Sequence, residues 1–483
     1  MLFNSIEFLF FFPIVTLFFF LIPHKFRWLF LLLASCFFYM YFKAIYIFIL
    51  VFTIILDYRL GILIENSSTP KRRKQLLVIS IVANVAVLAA FKYYNFFSEN
   101  LNSLCDAVGM HAHLPYLSLV IPIGLSFHTF QAMSYTIEVY RGHQQAEKKA
   151  GLYALYILFY PQVIAGPIER PQHLLPQLKE KQTVDYARIT SGLKLMAWGL
   201  FKKVVIADRL AILVNTVYQY PQQHGSLSLI IATVFFAFQI FCDFSGYSDM
   251  AIGAARVMGF KLMTNFNQPY QAKTIREFWK RWHISLSTWF RDYLYISLGG
   301  KNVSIPRWYL NIFIVFLISG LWHGAAWTFL IWGALHAFYM ITAHVTQKQR
   351  EKLNRLLLLE KIWFLPVLIT FSLVSFAWIF FRAASISDAC YIVTHLFSDG
   401  WNIFQLSSLK NVVNLGLDTT QFLIAIAAIV LMEYVHYLQR TRNLSAFIAS
   451  KNTLTRWCIY YGIVMAICLF GIFQKHQFIY YQF

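Results

Sequence analysis

Long apolar runs separated by short polar stretches recur from one end of the chain to the other. A membrane-spanning helix needs ~20 predominantly apolar residues. By that rule the spans fall near 6–23, 28–42, 44–64, 76–97, 115–137, 151–168, 189–218, 227–255, 307–345, 362–381, 421–438 and 457–473. The run at 307–345 is long enough to be broken or doubled, so the pattern predicts about eleven to thirteen spans. The expected fold is all-α, a polytopic transmembrane bundle. Loops 141–149 and 179–188 both read as cytoplasmic from their basic residues, so the chain between them must double back. Pro161 and the stretch Ala165-Gly166-Pro167-Ile168-Glu169-Arg170-Pro171 suit a re-entrant turn buried in protein, where broken backbone is tolerated at membrane depth.

Composition agrees with the pattern. The chain has 483 residues, 59% hydrophobic, 18% aromatic and 13% charged, whereas a soluble domain is about 25% charged. No segment reads as an appended soluble domain, so residues 1–483 form a single integral-membrane domain, with a last span and an aromatic tail at 457–483. The first residues lack the basic n-region and small-residue cleavage site of a signal peptide and should stay as the first span. The six cysteines show no CxxC pair or ligand spacing and read as packing residues.

The net charge of +20 is explained by membrane topology, with no need for a nucleic-acid partner. Lys and Arg gather in short cytoplasmic loops facing the anionic headgroups of the lipid bilayer. The loops at His24–Arg27 and Lys71–Lys74 should therefore be cytoplasmic, which puts the N-terminus outside. The loop near 98–114 carries no Lys or Arg and fits outside. Running 457–473 outward from the basic loop at 440–456 leaves the C-terminus outside as well.

Several ionisable groups interrupt the apolar pattern. His323 stands between Trp322 and Gly324 in the middle of the 307–345 run. An intramembrane ionisable residue marks a functional site by default, and a helix-packing histidine is the plainer alternative. Asp243 and Asp249 lie within the apolar stretch QIFCDFSGYSD at 239–249. Asp243 is either half of a structural ion pair or an orienting carboxylate for an imidazole. On one continuous helix His323 and His336 would be about 20 Å apart, too far to share a metal ion, and no metal site is expected. With no Gly-x-Ser-x-Gly elbow, Walker loop or HExxH present, the available chemistry is an imidazole in a low-dielectric cavity, which is a good general base when neutral.

Residues 272–291 predict a further helix. Thr274 and Glu277 have capping-box spacing. Ile275, Phe278, Trp279, Trp282, Leu286, Trp289 and Phe290 recur at helical spacing, with Lys273, Arg276 and Lys280 on another face and Arg281 and Arg291 nearby. The element reads as interfacial and amphipathic. Its cations, Lys280, Arg281 and Arg291, could also hold the phosphates of an anionic cosubstrate. His283 should lie at the edge of the apolar face.

At this point the chain resembles a known family. The stretches YPQVIAGPIERP (160–171), FCDFSGYSDMAIG (241–253), NFNQPY (265–270), FWKRWHISLSTWFRDYLYISLGG (278–300) and SGLWHGAAWTFLIWGALHA (319–337) resemble the membrane-bound O-acyltransferases. The similarity is strongest to the bacterial alginate and peptidoglycan O-acetyltransferase branch, with the teichoic-acid D-alanylation protein more distant. The core signature region covers about residues 155–345. The resemblance implies a helical bundle around a central funnel, in a bacterial cytoplasmic (inner) membrane. It carries the family's two signature histidines onto His283 and His323. It implies acetyl-CoA as a cytoplasmic donor and an acceptor reached from outside, so that the acetyl group ends on an extracytoplasmic polysaccharide. The alternative from another class is a multi-pass transporter or export channel without bond chemistry. The tail FIYYQF (478–483) reads as an interfacial aromatic belt. It also resembles the Phe-x-Tyr-x-x-Phe ending of the small protein that works with the D-alanylation relative, matched by Phe478, Tyr480 and Phe483. On that resemblance Tyr480 is a covalent relay, delivering acetyl to an extracytoplasmic O-acetyltransferase with a serine nucleophile.

Overall fold

The computed structural model describes residues 1–110, 113–356, 362, 364–400, 402, 405, 412–413, 415–473 and 478–479. Among them every regular element is helical. The chain folds as two compact units, one of residues 1–196 with 248–264 and the other of 197–247 with 265–483.

The first unit contains α1 (Ile6–Leu21), α2 (His24–Met40), α3 (Ile47–Asn66), α4 (Pro70–Ala107), α5 (Leu125–Arg141), α6 (Ala150–Leu158) and α7 (Pro171–Lys179), and most of α8 (Tyr186–Phe201). Ser5 starts α1 by accepting the Phe8 N–H, which satisfies one of the orphan donors of a helix start. A polar knot joins α3, α4 and α5: the Asp57 carboxylate accepts from Ser80 Oγ at 2.6 Å and Asn84 Nδ2 at 2.8 Å, and Ser80 meets Thr136 at 2.9 Å. Buried polar groups need such partners, and in a membrane they tie helices together. Between α6 and α7 the chain leaves helical geometry while staying buried, as Pro161 and Gly166-Pro167 led us to expect. Gln162 fills this loop and donates to the Tyr156 carbonyl. Glu169, fully buried, accepts from the Met263 N–H and bonds His173.

The second unit contains α9 (Asp208–Gln219), the first two-thirds of α10 (Ser226–Met258), α11 (Ile275–Arg281), α12 (Ile284–Trp289), α13 (Ile305–His323), α14 (Trp327–Val345), α15 (Gln347–Leu356), α16 (Leu365–Arg382), α17 (Ile386–His395), α18 (Thr419–Thr441) and α19 (Thr453–Phe470). Its core is aromatic, with Trp282, Trp332, Trp378, Phe236 and Phe241 all within 2% of full burial. Aromatic pairs at offset or edge-on geometry add to the energy of burial.

Among the described residues eight helices are long and apolar enough to cross a membrane, including α10, α13, α14, α16, α18 and α19. Large apolar side chains such as Leu454, Tyr461, Val464 and Leu469 on α19 are exposed, which suits a surface solvated by lipid. The protein is a multi-pass membrane protein.

The 307–345 run is doubled into two helices, broken at Gly324–Ala326, as its length allowed. Two expectations are corrected. The 115–137 run becomes helical only at Leu125. The 272–291 pattern is not one helix, because His283 takes φ 42° and ψ 56° and divides it.

Candidate active site

The site is built in the second unit, from the hairpin of α13 and α14. Gly320 and Gly333 let its two helices meet backbone to backbone. A Cβ on Gly320 would lie 2.3 Å from the Phe329 carbonyl oxygen, and one on Gly333 would lie 2.3 Å from that of Phe316. Any larger residue would force the helices apart. His323 is the last residue of α13 and is 4% exposed. Its ring is ringed by Trp322, Trp332 and Phe381, at centroid distances of 4.9, 5.1 and 5.2 Å, all edge-on.

Because the hairpin folds back, the separation of His323 and His336 expected for a continuous helix does not hold. Both imidazoles touch Trp332, His336 at 5.0 Å. His336 is fully buried, and its Nδ1 accepts the Trp279 indole N–H at 3.3 Å. Among the described residues no three metal-type ligands gather.

His283 is fully buried and does not lie at the edge of a face. Left-handed backbone costs a residue with a Cβ on the order of 1 kcal/mol or more, so local structure must enforce it. Asn265 does so. Its Oδ1 accepts from Ser285 N–H at 3.3 Å and Ser285 Oγ at 2.9 Å, and its carbonyl accepts from Ile284 N–H at 2.8 Å. The same Oδ1 lies 3.1 Å from His283 Nδ1. An amide oxygen only accepts, so Nδ1 carries the proton and Nε2 is the basic nitrogen of the neutral ring. Trp322 packs against both imidazoles, its ring 6.2 Å from that of His283 and 4.9 Å from that of His323. Phe244 packs edge-on to His283 at 4.7 Å.

Asp243 lies one residue before Phe244 and is buried. Its Oδ1 is 2.8 Å from Lys203 Nζ, which also meets Asp208 at 2.8 Å. Its Oδ2 accepts the backbone N–H of Ile479 at 2.8 Å. The carboxylate's partners are thus an ammonium and a peptide group, and neither is an imidazole. The tail is held here. Phe478 is buried against Tyr247 and Phe244, at 4.9 and 5.9 Å, and Ile479 is 1% exposed. Upstream, Ile472 N–H bonds the Val204 carbonyl and Arg209 bonds that of Phe470. Tyr480 lies outside the described residues.

The basic residues differ in their surroundings. Lys280 is exposed. Arg281 is engaged by Glu277 at 2.8 and 3.0 Å and bonds the Asn267 carbonyl. Arg291 is exposed and bonds Asp292. The Thr274 hydroxyl accepts the Glu277 N–H, while the Glu277 carboxylate turns back to the Lys273 N–H. Partial burial opposes its charge, but the bonds from Lys273 N–H and Arg281 hold its carboxyl below the usual range.

Sequence patterning singled out His323 and Asp243, and the family resemblance added His283; neither pointed to Asn265 or Lys203 as their neighbours. The NFNQPY stretch contains Asn265, but nothing in it foretells a partner eighteen residues away.

Two buried imidazoles, those of His283 and His323, both pack against the Trp322 indole. Comparison with known proteins identifies the chain's family. A profile of the membrane-bound O-acyltransferase family matches residues 151–386. The chain is 37% identical over 430 residues to the probable alginate O-acetylase AlgI of Pseudomonas aeruginosa, covering 88% of this chain and 80% of that protein. The chain belongs to the membrane-bound O-acyltransferase family. This O-acyltransferase is also 35% identical over 429 residues to the peptidoglycan O-acetyltransferase of Helicobacter pylori, covering 81% of this chain and 79% of the other. The teichoic acid D-alanyltransferase of Bacillus subtilis is 28% identical over 283 residues, covering 56% of this chain and 70% of the other. Membership displaces the transport alternative: the protein is an acyl-transferring enzyme.

Proposed function

We propose that this O-acyltransferase takes acetyl from cytoplasmic acetyl-CoA and passes it across the bacterial inner membrane for O-acetylation of an extracytoplasmic polysaccharide. The relatives named for alginate and peptidoglycan acetylation support that substrate class. The observation that carries the reading is the pairing of His283 and His323 about Trp322, with residues 478–479 seated beside it.

In this mechanism His323 acts as general base. It draws the proton from an acceptor hydroxyl as that oxygen attacks the thioester carbonyl carbon, and it returns the proton to the departing CoA thiolate. His283, its proton fixed on Nδ1 by Asn265, presents Nε2 as a second hydrogen-bond acceptor in the site. Lys280, Arg281 and Arg291 hold the CoA phosphates. The acceptor hydroxyl is that of Tyr480. Support for this comes from Phe478 and Ile479, whose anchoring to Phe244, Tyr247 and Asp243 brings the tail against the His283 neighbourhood. A partner transferase with a serine nucleophile then collects acetyl from the tyrosyl ester.

The test is acetyl transfer by the full-length protein with its acceptor, monitored as thiol release from acetyl-CoA. General acid–base catalysis is worth ~10² to 10⁴ in rate, so His323→Ala should lower transfer by that order while the protein still inserts and folds. Near-normal transfer by this variant would refute the assignment.

A further inference from the structure

Beside His323 lies a set of nitrogen donors that the mechanism above does not use. Trp332 Nε1, Trp378 Nε1 and His336 Nε2 are buried and have no hydrogen-bond partner among the described residues. Their side chains are at most 1% exposed. An indole nitrogen only donates. His336 Nδ1 accepts from Trp279, so in the neutral ring the proton sits on Nε2 and this atom donates too. Three N–H groups are thus buried together with no acceptor supplied. Buried donors are nearly always satisfied, and an unsatisfied one calls for a specific account.

Their placement points to a ligand. Trp332 stands edge-on to His323 at 5.1 Å and at 5.0 Å from His336. Trp378 stacks on Trp332 at 5.7 Å with 18° between planes. Phe381 closes the group, within 5.2 Å of His323, Trp332 and Trp378. The aromatic neighbours Phe381, Phe278 and Phe316 offer no acceptor atom of their own to these donors. Such donors suit a small group bearing an acceptor oxygen beside the general base.

We infer that Trp332, Trp378 and His336 form the donor wall that receives the carbonyl oxygen of the acyl thioester. This rests on the acyl-transfer reading and adds its electrostatic half. As the hydroxyl oxygen bonds to the carbonyl carbon, its proton passes to His323 and the C=O π pair moves onto the carbonyl oxygen. The resulting oxyanion accepts the wall's N–H groups. The pair then returns as the carbon–sulfur bond breaks, and the thiolate takes the proton from His323. Donors fixed in a water-excluded site before reaction stabilise developing charge without reorganising, and losing one donor of such a hole costs about 10² to 10³ in kcat.

The experiment measures thiol release by purified full-length protein, supplied with the partner transferase and acceptor polysaccharide so that it turns over, across a range of acetyl-CoA concentrations, in the wild type, His336→Leu, His336→Gln and Trp332→Phe. Glutamine places an N–H near the former Nε2, and phenylalanine keeps a buried ring while removing the indole N–H. His336→Leu and Trp332→Phe should lower kcat by about 10² or more with KM little changed, and His336→Gln should recover most of the loss. Equal rates for His336→Leu and His336→Gln, or a raised KM with kcat intact, would overturn the donor role. If His336→Leu fails to fold, Trp332→Phe decides alone: wild-type kcat there overturns the proposal. No thiol release by the wild type would refute the acyl-transfer reading itself, whereas an active wild type with unaffected variants refutes only the donor wall.

Discussion

Asn265 has no catalytic chemistry, yet three donors converge on its one oxygen: His283 Nδ1–H, Ser285 N–H and Ser285 Oγ–H. It holds the left-handed turn at His283 and chooses which nitrogen of that ring is basic. Removing an acceptor from buried donors costs roughly 1–3 kcal/mol per stranded group. Asn265→Leu should therefore lower the thermal midpoint in detergent and reduce acetyl transfer, while Asn265→Asp, which keeps an oxygen in place, should lose less of both. A fluorescence-detected melt checks this, and an unchanged midpoint in Asn265→Leu would show that the turn holds itself. Sequence periodicity continued the helix straight through His283 because no Gly, Pro or Asn interrupts it there. The break comes from a side chain distant in sequence, which local patterning does not register.

Among the elements, the tail from α19 to Ile479 is the one whose role local pattern left most open. An aromatic belt at the interface leaves its rings partly wet, but Phe478 is 2% exposed and Ile479 N–H is taken by a buried carboxylate. The Lys203–Asp208–Asp243 cluster that receives it is fully enclosed, and breaking such a group by removing one partner is strongly destabilising. Tyr480→Phe separates anchoring from chemistry, since it deletes the hydroxyl and retains the ring. The relay requires loss of polysaccharide acetylation at normal protein level, measured as ester-linked acetate on the isolated glycan. Retained acetylation would end the relay and leave acyl transfer by another hydroxyl. The runs at 44–64, 76–97, 227–255, 307–345, 362–381, 421–438 and 457–473 were legible as spans, because ~20 apolar residues leave few other outcomes. Those at 28–42, 115–137, 151–168 and 189–218 give no helix of that kind among the described residues. The α13–α14 hairpin was legible only as an overlong run, since the Gly320 and Gly333 contact that closes it depends on the facing backbone.

For the whole molecule the informative quantity is the distribution of charge. The net charge of +20 includes basic stretches such as Lys71–Lys74, in the first turns of α4, and α15, where Lys348, Arg350, Lys352 and Arg355 lie on an exposed helix. Positive-inside bias assigns these to the cytoplasm and the Lys- and Arg-free 98–108 stretch to the outside. Single cysteines at Arg72 and Asn102 in a cysteine-free background should show opposite labelling by a membrane-impermeant maleimide on intact cells. Asn102→Cys is expected to react and Arg72→Cys to react only after permeabilisation, and the reverse pattern would invert the donor and acceptor sides proposed above.

The contact between the backbones of α13 and α14 has a bearing on how such an enzyme adapts. Side chains facing lipid can be exchanged as membrane thickness or composition changes, and each exchange shifts helix tilt a little. Main-chain contact at Gly320 and Gly333 does not depend on the identity of those side chains. The spacing of His323 from Trp332 is thereby insulated from drift on the outer surface. The lipid-facing surface can be rewritten to suit a new bilayer while the reacting atoms keep their places.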